Sequence, residues 1–548
     1  MSVEPVAARR DARWPTRVEI YDTTLRDGSQ LEGISLTVDD KLRIAEQLDW
    51  LGVDYIEAGW PGANPKDDEF FRRAPSELVL DHSILVAFGS TRRVKGKVDS
   101  DDTLRHLLEA NTSTVCIVGK AWDYHVLEAL QTTLDEGVAM VADSVAFLAG
   151  EGRAVFYDAE HFFDGYRRNP EFSLRVLEGA ALAGATRLVL CDTNGGTLPD
   201  EVERIVAEVV DYFGNDAVAA GGRLGVAVHL HDDAGTGVAN ALAGVRGGAV
   251  QVQGTINGYG ERTGNCNLTT IIPNLTLKMG IETIPADRLE RLTPVAHHVA
   301  ELVNMTLNPQ AAYVGGSAFA HKAGLHVSAI AKRPDAYEHI APDSVGNGTR
   351  FVVSELAGKS TLTMKARELG LELDGPQLND LVDTLKRMEH EGYHFEVADA
   401  SLELLMRRAG GWEQHWFDVE SFRVITDDDD PAASSGITTE ATIKVHVDGE
   451  RTIATAEGNG PVNALDTALR AALGDRFPAL DHVHLTDYKV RVLDTAKGTG
   501  AVTRVLVDST NGDRTWTTIG VSENIIEASW QALFDSLVYG LLQAESAQ

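Results

Sequence analysis

From Val18 to about Lys278 the chain repeats one pattern: a short apolar, β-branched run, a polar turn, then a longer stretch with helical periodicity. The runs fall at 18–25, 55–60, 83–90, 114–119, 154–162, 186–193, 224–232 and 249–257. Continuous apolar strands are those buried on both faces of a parallel sheet, and such a sheet needs a crossover helix between neighbours. The intervening segments supply these helices. Thr37 can cap one with Asp40 three positions on, Leu42, Ala45, Leu48 and Leu51 form its apolar stripe, and Gly52 stops it. Another begins at Pro199 after Thr197, with Val202, Ile205, Val206, Val209 and Val210 on one face. Eight such units in roughly 260 residues have the usual length of a (β/α)₈ barrel, so an α/β fold with an N-terminal TIM barrel is expected. An open doubly wound sheet is the alternative.

Polar residues recur where these runs end: Arg26-Asp27, Glu57, Asp158 and Glu160, Asp192-Thr193, and His229-Leu230-His231. A closed ring gathers such strand ends on one face, where barrel active sites lie. Side chains two apart on a strand point the same way, so His229 and His231 can present two imidazoles to one point. With the carboxylate Asp27 they make a mixed oxygen and nitrogen donor set for a divalent cation with positions left open. Asp232-Asp233 could orient the imidazoles as acceptors. The glycine-rich stretch Gly258-Tyr259-Gly260-Glu261-Arg262-Thr263-Gly264-Asn265 closes the last unit, which is not the Rossmann arrangement. Its backbone can approach a phosphate or thioester, Glu261 and Arg262 might pair with each other, and Asn265 could add an oxygen to the metal.

The chain has 548 residues, 43% of them hydrophobic, enough for two to four domains. A formal net charge of -33 argues against nucleic acid or an anionic membrane as the main partner. Cys116, Cys191 and Cys266 have no CxxC spacing, so a disulfide framework is not expected and a reducing, cytoplasmic setting is. No apolar stretch is long enough to span a membrane. Residues 1–17 read as a flexible tail, 18–280 as the barrel, and 281–426 as helical linker subdomains interrupted at His321–His326 and Tyr337–Pro342. After the acidic Asp427–Asp430 run, residues 427–548 read as an α+β domain with an approximate ββα repeat, helices Val462–Leu473 and Asn524–Leu542 occupying matching places. It reads as regulatory, binding a small molecule, or as a plain dimerisation module.

Together, Asp22–Gly28, His229–Asp232 and the Gly258–Asn265 motif resemble the acyl-CoA Claisen condensing enzymes that include isopropylmalate, homocitrate and citramalate synthases (the DRE-TIM metallolyases). The resemblance covers nearly the whole chain. Cys191–Pro199 and Val252–Arg262 look most like the citramalate synthase branch. It implies acetyl-CoA as co-substrate and pyruvate as the oxo acid, giving (R)-citramalate and CoA toward isoleucine biosynthesis; the alternative is 2-isopropylmalate from 2-oxoisovalerate. It further implies a divalent metal (Mg, Mn or Zn) on Asp27, His229, His231 and Asn265. Arg26 would stabilise the developing alkoxide, and Thr193, with Asp158 lining the pocket, would hold the oxo acid. Glu160, or His326 supported by Tyr337, would serve as the base. Gly258, Gly260, Glu261, Arg262 and Gly264 would form the acyl-CoA loop. For the C-terminal domain it implies isoleucine as effector, leucine as runner-up, and a homodimer or higher homo-oligomer. A lyase on the same barrel and a non-catalytic metabolite sensor are the remaining readings.

Overall fold

The computed structural model describes residues 13–214, 218–219, 222–321, 330, 333, 336–351, 359–427, 438–493 and 495–546. Eight parallel strands close into a barrel: β1 (Glu19–Asp22), β2 (Tyr55–Gly59), β3 (Ile84–Ser90), β4 (Thr114–Lys120), β5 (Ala154–Glu160), β6 (Arg187–Asp192), β7 (Gly225–Leu230) and β8 (Gln251–Gly254), in the order β1-β8-β7-β6-β5-β4-β3-β2. Seven of the eight expected runs contain one of them, and β4 runs one residue past the end of its run. The doubly wound alternative is excluded because β1 pairs with both β8 and β2.

Local rules account for the crossovers. In helix Val38–Leu51, Thr37 and Asp40 form a reciprocal capping box, and Gly52 ends it in the left-handed conformation with φ 93°. Its buried stripe contains Leu42, Ala45, Leu48 and Leu51, as the periodicity predicts. In helix Pro199–Phe213, Val202, Ile205, Val206 and Val209 are buried. Two apolar shells result, one between the barrel wall and its helices and one inside the ring.

The interior is layered, as is usual for this fold. At the N-terminal end Arg187 pairs with Glu19 at 2.7 Å, and Gln251 Nε2 donates to Glu19 at 2.9 Å. Above them Tyr21, Tyr55 and Phe156 pack ring to ring, with centroids 5.1–6.0 Å apart. The C-terminal layer carries the buried polar groups Asp27, Glu57, Asp158, His229, His231 and Gln253. The last residues of the expected tail are tied down: Val18 N donates to Glu282 O at 2.8 Å, and Glu282 N to Thr16 O at 3.0 Å.

The chain divides into two compact units, 1–319 with 338–349 and 320–337 with 350–548. In the second, helices Lys359–Glu368, Gly375–Glu391 and Asp399–Ala409 precede two antiparallel sheets. One sheet is β9 (Asp418–Asp427), β10 (Thr438–Val447) and β11 (Glu450–Gly458), followed by helix Pro461–Leu473. The other is β12 (His484–Val492), β13 (Thr503–Thr510) and β14 (Thr515–Ser522), followed by helix Ile525–Ser546. The repeat is therefore three strands and a helix, since β9 lies in a stretch read from sequence as helical. Leu362, Leu378, Leu385 and Met406 share an apolar cluster with Ile519 and Val521, so these helices pack on the second sheet. The expected 427–436 linker falls almost entirely outside the described residues. Among the described residues no helix is long and apolar enough to cross a membrane. Thr37→Ala should destabilise the first turn of helix Val38–Leu51 by about 1 kcal/mol; amide exchange at residues 38–41 should accelerate while that of β1 stays unchanged.

Candidate metal centre and active site

Just past β1 the chain folds into a tight turn in which Asp27 N and Gly28 N both donate to Thr23 O, at 2.9 and 3.0 Å. This holds Arg26 and Asp27 over the barrel mouth. Asp27 Oδ2 lies 3.2 Å from His229 Nε2 and 3.8 Å from His231 Nε2, and the two Nε2 atoms are 3.4 Å apart. Asn265 Nδ2 lies 2.8 Å from Asp27 Oδ2 and 3.2 Å from His229 Nε2. All four side chains are buried.

The His229 separations from Asp27 and His231 fit a shared cation, and the 3.8 Å between Asp27 and His231 is somewhat longer. Donors about 2.1 Å from a common ion, at right or tetrahedral angles, lie roughly 3.0–3.4 Å from one another. Among the described residues, Asp27, His229 and His231 form a group whose ligand atoms converge. Asn265 Oδ1 is buried with no hydrogen-bond partner. Amide O and N are placed by hydrogen bonding, and rotating this amide would turn its oxygen toward the cluster as a fourth donor.

Two glycines let Asn265 sit there. A Cβ on Gly260 (φ +154°) would overlap Asn265 Oδ1, and one on Gly264 (φ +97°) would overlap Gly258 O. Burial alone would raise the Asp27 pKa, but the Arg26 charge and His229 hold it well below the usual carboxylate range. Burial alone would lower His229, and the hydrogen bond and charge of Asp27 reverse this and leave it raised. His231 is lowered to about 4 by burial and by the charge of His229.

Arg26 is fixed from behind. Its Nε donates to Glu57 Oε1 at 2.6 Å, its Cζ lies 3.8 Å over the Phe88 ring, and its Nη1 is 3.4 Å from Asp27 Oδ1. Glu57 is fully buried and also accepts from Thr23 Oγ1 at 2.6 Å and from the Tyr21 hydroxyl. Burial alone would depress the guanidinium pKa, but Glu57, Asp27 and Asp158 raise it. A fixed cation beside a cation site is what a reaction that builds negative charge on oxygen needs.

The HMGL-like family model matches residues 17–297, the homocitrate synthase post-HMGL domain-like model 313–393, and the LeuA allosteric (dimerisation) domain model 396–541. The chain is 51% identical over 535 residues to the (R)-citramalate synthase of Aquifex aeolicus, covering 96% of this chain and 98% of that one. It is 51% identical over 528 residues to the (R)-citramalate synthase of Streptomyces coelicolor, covering 96% and 97%. The chain belongs to the (R)-citramalate synthase family. A probable 2-isopropylmalate synthase of Methanopyrus kandleri matches at 34% over 94% of this chain and 97% of its own.

Around the centre this citramalate synthase-type chain departs in places from the sequence reading. The imidazole acceptor is Gln253, whose Oε1 lies 2.9 Å from His229 Nδ1. Asp232 instead accepts from Gly237 N at 2.5 Å, and Asp233 accepts both donors of one edge of Arg262, Nε at 2.8 Å and Nη2 at 2.9 Å. These aspartates follow the strand end, where the chain has turned away from the histidine face. Arg262 also donates to Thr193 O at 2.8 Å and lies 3.4 Å from Glu261, so it clasps three loops together. Gly258 and Asn257 are helical-turn residues with positive φ, and the loop's visible work is to seat Asn265.

Thr193 Oγ1 accepts from His161 N at 2.9 Å, which leaves its hydroxyl proton to donate elsewhere. Glu160 stands at the rim, paired with Lys120 Nζ. Asp158 is buried inside the ring, accepting from Cys116 Sγ at 3.1 Å and Gln253 Nε2 at 3.4 Å. Burial raises its pKa to about 6, against the pull of His229. Tyr337 is exposed and belongs to the second unit. His326 lies outside the described residues. Sequence reasoning missed Gln253 and the role of Glu57; polarity inside otherwise apolar β-runs was the available signal.

The titration of the cluster fixes how metal binding varies with pH. His229 must give up its proton to ligate, so affinity should rise with pH and level off above its raised pKa; His231 is neutral well below that. Calorimetry of Mn²⁺ binding at pH 6, below the ordinary imidazole value, in buffers of different ionisation enthalpy should find about one proton released per ion. Release of two would contradict the assignment of His231.

Proposed function

We propose that this chain condenses acetyl-CoA with pyruvate and hydrolyses the resulting thioester, releasing (R)-citramalate and CoA toward isoleucine biosynthesis. The observation that carries the reading is the convergence of Asp27, His229, His231 and Asn265 beside the anchored Arg26, in a chain 51% identical to citramalate synthases over almost its whole length. The isopropylmalate alternative has less support: the probable 2-isopropylmalate synthase of Methanopyrus kandleri matches at 34%.

A bound divalent cation (Mg, Mn or Zn) supplies Lewis-acid polarisation of the oxo acid's carbonyl. Asp27, His229, His231 and Asn265 would hold it. Thr193 donates its free proton to the substrate carboxylate, while the His161 N–H fixes the hydroxyl's orientation. Arg26, braced by Glu57 and Phe88, stabilises the carbonyl oxygen as it becomes an alkoxide. Glu160, oriented by Lys120, is placed at the rim to take a proton from the acetyl methyl; His326 with Tyr337 is the other base. Asp158 lies at the inner end of the oxo-acid pocket.

A cavity of about 490 Å³ shares Arg26 and is lined further by Gln30, Leu36, Trp60, Asn64 and Lys66. It offers the acyl-CoA arm apolar walls and a cation next to the reacting carbonyl. We place the arm here in preference to the 258–264 loop, whose Arg262 is committed to Asp233. The match to the LeuA allosteric (dimerisation) domain model supports a homodimer or higher homo-oligomer under allosteric control, and isoleucine, as the end product, is the effector proposed, with leucine second. Three buried, unpaired cysteines support a reducing cytoplasm.

Release of CoA thiol, followed with a panel of 2-oxo acids with and without isoleucine and leucine, tests the reading. Pyruvate should give the highest kcat/KM and isoleucine should inhibit; 2-oxoisovalerate outperforming pyruvate would overturn the substrate assignment. Arg26→Ala should lower kcat by about 10²–10³ with little change in pyruvate affinity, because its partner charge arises only in the transition state.

A further inference from the structure

The two nitrogens of His229 have different jobs: Nε2 faces Asp27 and His231, while Nδ1 faces Gln253. A neutral imidazole carries one proton, so whichever partner demands a donor at Nδ1 leaves Nε2 as a free lone pair. Gln253 can make that demand only in one amide orientation. With Oε1 toward the ring, Nδ1 must donate and Nε2 is open for ligation. With the amide reversed, its N–H would face Nδ1, the proton would move to Nε2, and a hydrogen would point into the cation site.

We propose that Asp158 is a positioning residue for the metal centre, fixing the amide of Gln253 and through it the ligating tautomer of His229. Its Oδ1 lies 3.4 Å from Gln253 Nε2, and an ionised carboxylate only accepts, so a reversed amide would set oxygen against oxygen. Cys116 Sγ donates to the same Oδ1 at 3.1 Å and holds the carboxylate in place. Gln253 and Cys116 are fully buried and Asp158 is 3% exposed, so solvent cannot substitute for a missing partner. The strands impose the chain of contacts: β8 pairs with β7 so that Gln253 lies opposite His229, and β5, three strands round the wall from β8, presents Asp158 from across the interior.

The inference rests on the cation site proposed above, and the test separates the two. Mn²⁺ is titrated into the metal-free full-length protein at pH 8, with His231→Ala as the control. Wild type binding no more tightly than that control would overturn the metal centre itself. If the centre stands, Gln253→Leu and Asp158→Leu should each weaken Mn²⁺ binding about 10- to 100-fold. The double variant should be no weaker than the weaker single one, because both break one relay. Asp158→Asn offers Gln253 either an oxygen or an N–H and no longer forbids the reversed amide, so its Mn²⁺ affinity should fall between wild type and the leucine variant. Asp158→Ala replaces the leucine variant if the latter does not fold. Wild-type affinity in the acceptor-less variant, or losses that multiply in the double variant, would refute the relay; a role in packing alone would give such independent losses.

Discussion

The site depends on the register in which β1, β8 and β7 pair. Tyr21 lies opposite Gln253, and Gln253 opposite His229, so an inward residue on each strand meets an inward residue on the next. A slip of one residue would send His229 into the outer shell and bring its apolar neighbours inward. Closing the ring through β1 and β8 joins parts of the chain more than two hundred residues apart and brings Asp27 to the imidazoles. The cation site is therefore a product of closure, and no local segment contains it.

Closure also brings like charges together, and the structure answers with pairing. Glu57, Asp27 and Asp158 would repel one another in a dry interior, yet Arg26 contacts the first two directly. Tyr21 and Thr23 spend their hydroxyl protons on Glu57, so that carboxylate is satisfied before any substrate arrives. Such a preorganised polar layer costs stability through desolvation, which the two apolar shells offset. The fixed dipoles need not reorganise as charge develops, which is where their catalytic value lies.

Much of this could be read from the amino acids. All eight barrel strands were legible because parallel strands buried on both faces leave uninterrupted apolar runs. The convergence of Asp27, His229 and His231 was legible because candidate metal donors at strand ends combine residue type with position. β9 was not: Asp418–Asp427 shows mostly exposed or half-buried positions and reads Asp-Val-Glu-Ser-Phe-Arg, with little apolar alternation. It becomes a strand through pairing with β10 along its length. Gln253 was missed because a glutamine in a buried run has no motif; only its partner across the ring gives it meaning. Asp232 and Asp233 misled because nearness in sequence to a histidine says little about direction once the strand has ended. For Arg262, the clasp on Asp233 is a contact between loops, and loop geometry leaves no periodic signature.

The barrel's far end carries a last consequence. Arg187, Glu19 and Gln251 close the bottom, and the Tyr21, Tyr55 and Phe156 rings fill the space above them. Molecules can reach the reacting groups only from the top, so arrival and departure share one doorway. A ligand seated on the deep polar layer would have to arrive before, and leave after, any ligand that fills the mouth above it.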